Sequence, residues 1–95
     1  MKIRFEPEAE QDVWDAARWY ESEAPGLGYE FMRTVEAAVH RVARFPEAFA
    51  EVRTGLRRTG IKRFPYSLFY EIEPDRIVVI ACMHQHRDPE SWPNS

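Results

Sequence analysis

Residues 64–84 read FPYSLFYEIEPDRIVVIACMH, and the architecture follows from how this stretch divides. Tyr66, Leu68, Tyr70 and Ile72 recur at every second position, which places four apolar side chains on one face of a strand over 66–73. Glu73-Pro74-Asp75-Arg76 has the composition of a type I turn, so the next strand, 77–84, returns antiparallel to the first. That strand is almost continuously apolar from Ile77 to Met83, the pattern of a strand covered on both faces, and it is expected in the middle of the sheet. Just upstream, 56–64 is extended but polar at alternate positions, giving a third consecutive strand.

Outward from this meander, the first half of the chain carries a different period. Ile3 and Phe5 share one side of a short strand over 2–5, and Pro7 follows where a first helical turn tolerates it. Ala9, Val13, Ala16, Ala17 and Tyr20 recur at three- and four-residue spacing, predicting a helix that stops before Pro25-Gly26. After Gly28 the spacing resumes with Phe31, Val35, Ala38, Val39 and Val42 and ends before Pro46. Two helices joined by PGLG form an antiparallel hairpin whose apolar stripes need a third surface, and the sheet supplies it. The expected fold class is α+β, of order β-α-α-β-β-β, with a helical hairpin packed on a small, mainly antiparallel sheet.

A chain of 95 residues with 44% apolar content has room for one modest core, so a single domain over 1–95 is expected. The first residues lack the apolar run of a signal peptide and 77–83 is too short to span a bilayer, which implies a cytoplasmic protein without membrane contact. The lone Cys82 cannot form an internal disulfide and reads as buried filler. Nothing in the spacing calls for a cofactor.

The net charge of −3 conceals a division: residues 6–51 hold eleven acids against four bases, and 52–95 hold seven bases against five acids. Arg53, Arg57, Arg58, Lys62 and Arg63 fall in one stretch without an acid, either a solvated strand face or a patch for an anionic or acidic partner. His84 and His86 point to the same side of a strand, yet a stable metal site needs three or four ligands, so no metal is expected. Asp88-Pro89-Glu90 reads as an N-cap, first helical proline and first-turn acid, after which Trp92 can cover the sheet. Arg87 has two readings: a bidentate donor to a phosphate or carboxylate, or an ion-pair partner for a helix acid. Trp14 and Trp19 flank the main stripe of the first helix, where exposure would suggest a protein interface and packing at the helix edge is the alternative.

Four segments together, PEAEQDVWDAARWYE, PGLGYEF, RRTGIKRFPYSLFYEI and DRIVVIACMHQHRDPESW, resemble the RelE/ParE superfamily of toxins from bacterial type II toxin-antitoxin systems. The likeness spans nearly the whole chain. In the RelE branch, which cleaves mRNA on the ribosome, a basic residue follows the tyrosine matching Tyr66; here Ser67 stands there, and Gly60 replaces a second base. Arg58 and Arg87 match basic positions of that branch, while its late tyrosine is missing near Trp92 and Pro93. The PGLG turn and the RDPESW ending resemble the ParE branch more closely.

The ParE resemblance implies a toxin that binds a target such as DNA gyrase and is neutralised by a cognate antitoxin, with Arg57, Arg58, Arg63 and Arg87 as recognition residues. The RelE alternative implies a ribosome-dependent mRNA endonuclease, with His84 or His86 moving protons and Arg87 and Arg58 holding the phosphate. Removing one electrostatic donor from such a site typically costs about 100- to 1000-fold in rate, so the departures at Ser67 and Gly60 weigh against cleavage. An inactive member retained for antitoxin binding is a third class.

Overall fold

The computed structural model describes residues 1–93. Strand β1 (Lys2–Phe5) leads into α1 (Pro7–Glu23) and α2 (Leu27–Arg44). The strands β2 (Glu51–Arg53), β3 (Leu56–Gly60), β4 (Tyr66–Ile72) and β5 (Arg76–His84) follow, and a single 3-10 turn spans Pro89–Ser91. The sheet order is β1-β5-β4-β3-β2, with β1 parallel to β5 and the remaining neighbours antiparallel. Among the described residues no helix is long and apolar enough to cross a membrane.

The expected periodicities become buried faces. Ala9, Val13, Ala16 and Ala17 of α1 and Phe31, Val35, Ala38 and Val42 of α2 pack with Leu68, Tyr70, Ile77 and Val79 from one face of the sheet. On the other face Leu56, Phe69 and Ala81 form a smaller cluster, covered by Trp92 from the C-terminal segment. Strand alternation sends the adjacent Phe69 and Tyr70 to opposite faces, and the bulge beside them leaves Ile80 of β5 without a partner between Val79 and Ala81. As expected, β5 is interior and buried on both sides, although β4 holds the central place.

Three details differ from the sequence expectation. The short β2 is additional to the expected order; its three residues are too few to show a period. The strand expected over 56–64 stops at Gly60, because Ile61 and Phe64 turn inward to the main core, with Arg63 at φ 73 and Ile61 N–H donating to Tyr66 O at 2.9 Å. Helix α2 begins at Leu27 rather than after Gly28, since the Glu21 carboxylate accepts from the N–H groups of Gly26 and Gly28 and satisfies its first turn.

Gly28 is also a point of close helix approach: a Cβ there would lie 2.5 Å from Ala17 O. Alanine is the better helix former by about 1 kcal/mol, yet the obstructing atom is backbone and cannot swing aside. We expect Gly28→Ala to destabilise by about 1–3 kcal/mol, read as a lower denaturation midpoint, because overpacking outweighs the propensity gain.

Candidate binding cleft at the end of β5

Strand β1 ends at Phe5, and its last bond to β5 is Glu6 N–H to Val79 O at 2.9 Å. Beyond Val79, β5 therefore runs on without a strand on that side. Helix α1 covers it instead: the Asp12 carboxylate accepts the Cys82 N–H at 3.0 Å. Asp12 and Trp19 are two helical turns apart on the same side of α1, and with Tyr66, His84 and Arg87 they line an open cleft of about 300 Å³.

Burial pushes the Asp12 carboxyl above its usual range; the Cys82 N–H and the more distant Arg87 cation oppose that, and Asp15 adds to it. Burial likewise raises the Tyr66 phenol. The Tyr66 ring sits edge-on to His84 at 5.2 Å and to Phe31 at 5.3 Å, tying the cleft wall to the core. His84 Nδ1 accepts the His86 N–H at 3.1 Å, and the two imidazoles lie 5.0 Å apart. Among the described residues no group of three His, Cys, Asp or Glu side chains is placed to hold a metal. Arg87 stands exposed at the cleft mouth and makes no ion pair among the described residues.

The other arginines are dispersed rather than gathered. Arg57 donates to the carbonyls of Glu47 and Phe49 at 3.2 and 2.8 Å, bracing the loop whose Pro46 carbonyl accepts from the Tyr70 hydroxyl at 2.6 Å. Burial pushes that phenol to about 12. Arg58, one residue on, points to the opposite face and lies 5.0 Å from the Trp92 ring centroid, where Arg53 also donates to Pro89 O and Trp92 O. Arg63 pairs with Glu30 at 3.0 Å on an exposed surface. Asp88 accepts from Glu90 N–H as the sequence leads one to expect, at the start of the 3-10 turn. Trp14 and Trp19 are both more than half exposed.

The sequence reading did not single out Asp12 or assign Tyr66 to a cleft. A usable signal existed for Asp12: a carboxylate one position before the buried Val13, on a helix following a strand too short to pair the whole of β5. We expect Asp12→Ala, which strands the Cys82 N–H, to cost about 1–3 kcal/mol, whereas Asp12→Asn keeps an acceptor there. Because the folded state holds the Asp12 proton more tightly, this group's contribution to stability is greatest below its usual value near 3.8 and falls as pH rises through the raised one. Denaturant titrations across that window should show the parent losing stability relative to Asp12→Asn as pH rises; parallel curves would refute this.

A protein-family model described as the ParE toxin of type II toxin-antitoxin system, parDE, matches residues 3–89. Among solved structures the chain is similar to one described as the chromosomal ParDE TA system from P. aeruginosa, with a TM-score of 0.62 and 17% identity over 88% of this chain and 95% of that one. At that identity the likeness concerns the fold. No curated protein matches the chain significantly.

Proposed function

Because this chain belongs to the ParE toxin family of type II toxin-antitoxin systems, we propose that it acts by binding a protein target, DNA gyrase, and not by cutting RNA. We further propose that a cognate antitoxin neutralises it by seating an acidic segment at the Arg87 cleft. The observation that carries the first part is the separation of the cations. RNA cleavage through the 2′-hydroxyl needs a base, an acid and cations converging on one phosphate. Arg58 stacks on Trp92 on one face of the sheet, while Arg87 and His84 stand at a cleft on the helix side. Ser67, where the nuclease branch carries a base, is only 4% exposed.

Arg87 supports the second part. A guanidinium without an ion pair among the described residues, beside the partly buried Tyr66 and the exposed Trp19 indole, is suited to a carboxylate that arrives with apolar neighbours. The test is expression in bacteria lacking the antitoxin, with DNA supercoiling and mRNA integrity followed in parallel. Growth arrest with lost supercoiling and intact mRNA is the expected result. Codon-specific mRNA cuts with normal supercoiling would overturn the proposal in favour of the nuclease reading.

A further inference from the structure

The sheet has two edges, and only one is open to pairing. On the β2 side the edge strand has three residues and a register shift between Glu51 and Arg53, which blunts it. On the β1 side the outer edge is regular. Since Glu6 N–H is directed at Val79 O, the alternation along a strand turns the N–H and C=O groups of Ile3 and Phe5 outward, where among the described residues no further strand pairs with them. Beside that edge, Phe5, Met32, Val35 and Val39 form the apolar floor of a trough of about 380 Å³ along α2, which Arg33 and Glu36 also line.

We propose that a second copy of this chain adds its own β1 antiparallel to this edge, making a continuous ten-stranded sheet about a two-fold axis. Three registers bring the outward groups into phase. Pairing Ile3 with Ile3 of the other copy sets Lys2 against Arg4 twice, two like-charge pairs with no acid opposite either. Pairing Phe5 with Phe5 sets Ile3 against Pro7, which has no N–H and already begins α1. Pairing Ile3 with Phe5 forms four N–H to O bonds and sets Lys2 opposite Glu6 at both ends of the ladder. Arg4 then meets its own copy on the axis, and each Arg4 keeps its Glu6 neighbour at 3.2 Å. Short charged edges ordinarily resist pairing; here the two-fold turns end charges into complementary pairs. Ile3 and Phe5 point to the helix side, so the joined strands bring the two troughs, with their Phe5, Met32, Val35 and Val39 side chains, to the same side of the extended sheet.

The register makes a sharp test on the isolated full chain. Arg4 is a non-hydrogen-bonded pair with itself, with Cα atoms about 4.5 Å apart, a spacing a disulfide can bridge. Arg4→Cys should therefore form a covalent dimer under mild oxidation. Lys2→Cys should not, since four residues of strand rise separate the two copies of that position by roughly 13 Å. The native Cys82 is buried and does not compete. In sedimentation equilibrium the mass should rise with concentration from 11.2 kDa toward twice that. Lys2→Glu should weaken association about tenfold through two like-charge pairs, and Lys2→Glu with Glu6→Lys should restore it. Failure of the Arg4→Cys link, equal linking at Lys2→Cys, or no rescue by the charge swap would overturn the proposal. A monomer at every concentration, whose Ile3 and Phe5 amides become protected from exchange only on adding the antitoxin, would assign the edge to a partner strand instead.

Discussion

Phe31→Ala is expected to lower the unfolding free energy by about 3–5 kcal/mol, the usual range for emptying a fully buried aromatic site. Phe31 is 0% exposed, and its ring meets three others: Tyr20 of α1 at 5.4 Å, Phe64 of the 61–65 turn at 5.2 Å and Tyr66 of β4 at 5.3 Å. The cluster thus joins both helices to the sheet, and these neighbours, each fixed by its own element, cannot collapse together into the vacated space. A chain of this size has about 5–14 kcal/mol in total, so the variant should be marginal. Tyr66 also forms a cleft wall, so loosening it should weaken partner binding as well. Urea titrations of parent and variant provide the measurement, and a loss under 1 kcal/mol would show that the cluster does not hold the hairpin on the sheet.

The second large effect concerns binding. Arg87→Glu should weaken the antitoxin complex by about 2–5 kcal/mol if the guanidinium is desolvated against a carboxylate, since reversal leaves two like charges facing each other. It also brings a new carboxylate toward Asp12, whose own carboxyl is already held above its usual range. Arg63→Glu should act differently. Arg63 is exposed and paired with Glu30, so reversal should alter the on-rate and its salt dependence more than the dissociation rate. Arg58→Glu should loosen the C-terminal segment through the Trp92 contact, an effect visible in stability before binding. Arg57 is a poor probe because its donors hold the Glu47 and Phe49 carbonyls. Calorimetric titration of the partner encoded beside this gene decides the matter. If Arg58→Glu, Arg63→Glu and Arg87→Glu all bind like the parent at low and moderate salt, the acidic-partner reading fails.

The parts of the fold legible in the chain are those governed by neighbours in sequence. The 3.6-residue spacing of Ala9, Val13, Ala16 and Ala17, Pro7 at the first helical position and the PGLG connection are local matters. So are the two-residue alternation of β4 and the 73–76 turn, closed by Glu73 N–H to Arg76 O at 2.8 Å. These features identify the hairpin of helices, the meander and the interior place of β5. The Asp88 cap and the cover of Trp92 were equally readable, because a capping motif acts over three residues.

What the charge pattern could not say is where each cation ends up. Arg57 and Arg58 are adjacent in sequence, yet strand alternation sends one to loop carbonyls on the helix side and the other to an indole on the far face. Which of them meets a partner is decided by segments eight to thirty-four residues away. Asp12 shows the same division from the other direction. Locally it is one acid near the start of a helix; it becomes part of a cleft only because β1 stops at Phe5 and leaves the Cys82 N–H of β5 in need of an acceptor. The sequence alone determined the two helices, β1, β4 and β5 with their apolar faces, since period and turn chemistry are short-range properties, whereas the three-residue β2 and the inward turn after Gly60 carried no such signal. Strand order, the length of the β1–β5 pairing and the dispersal of the arginines arise from contacts between distant segments, and only the tertiary structure decided them.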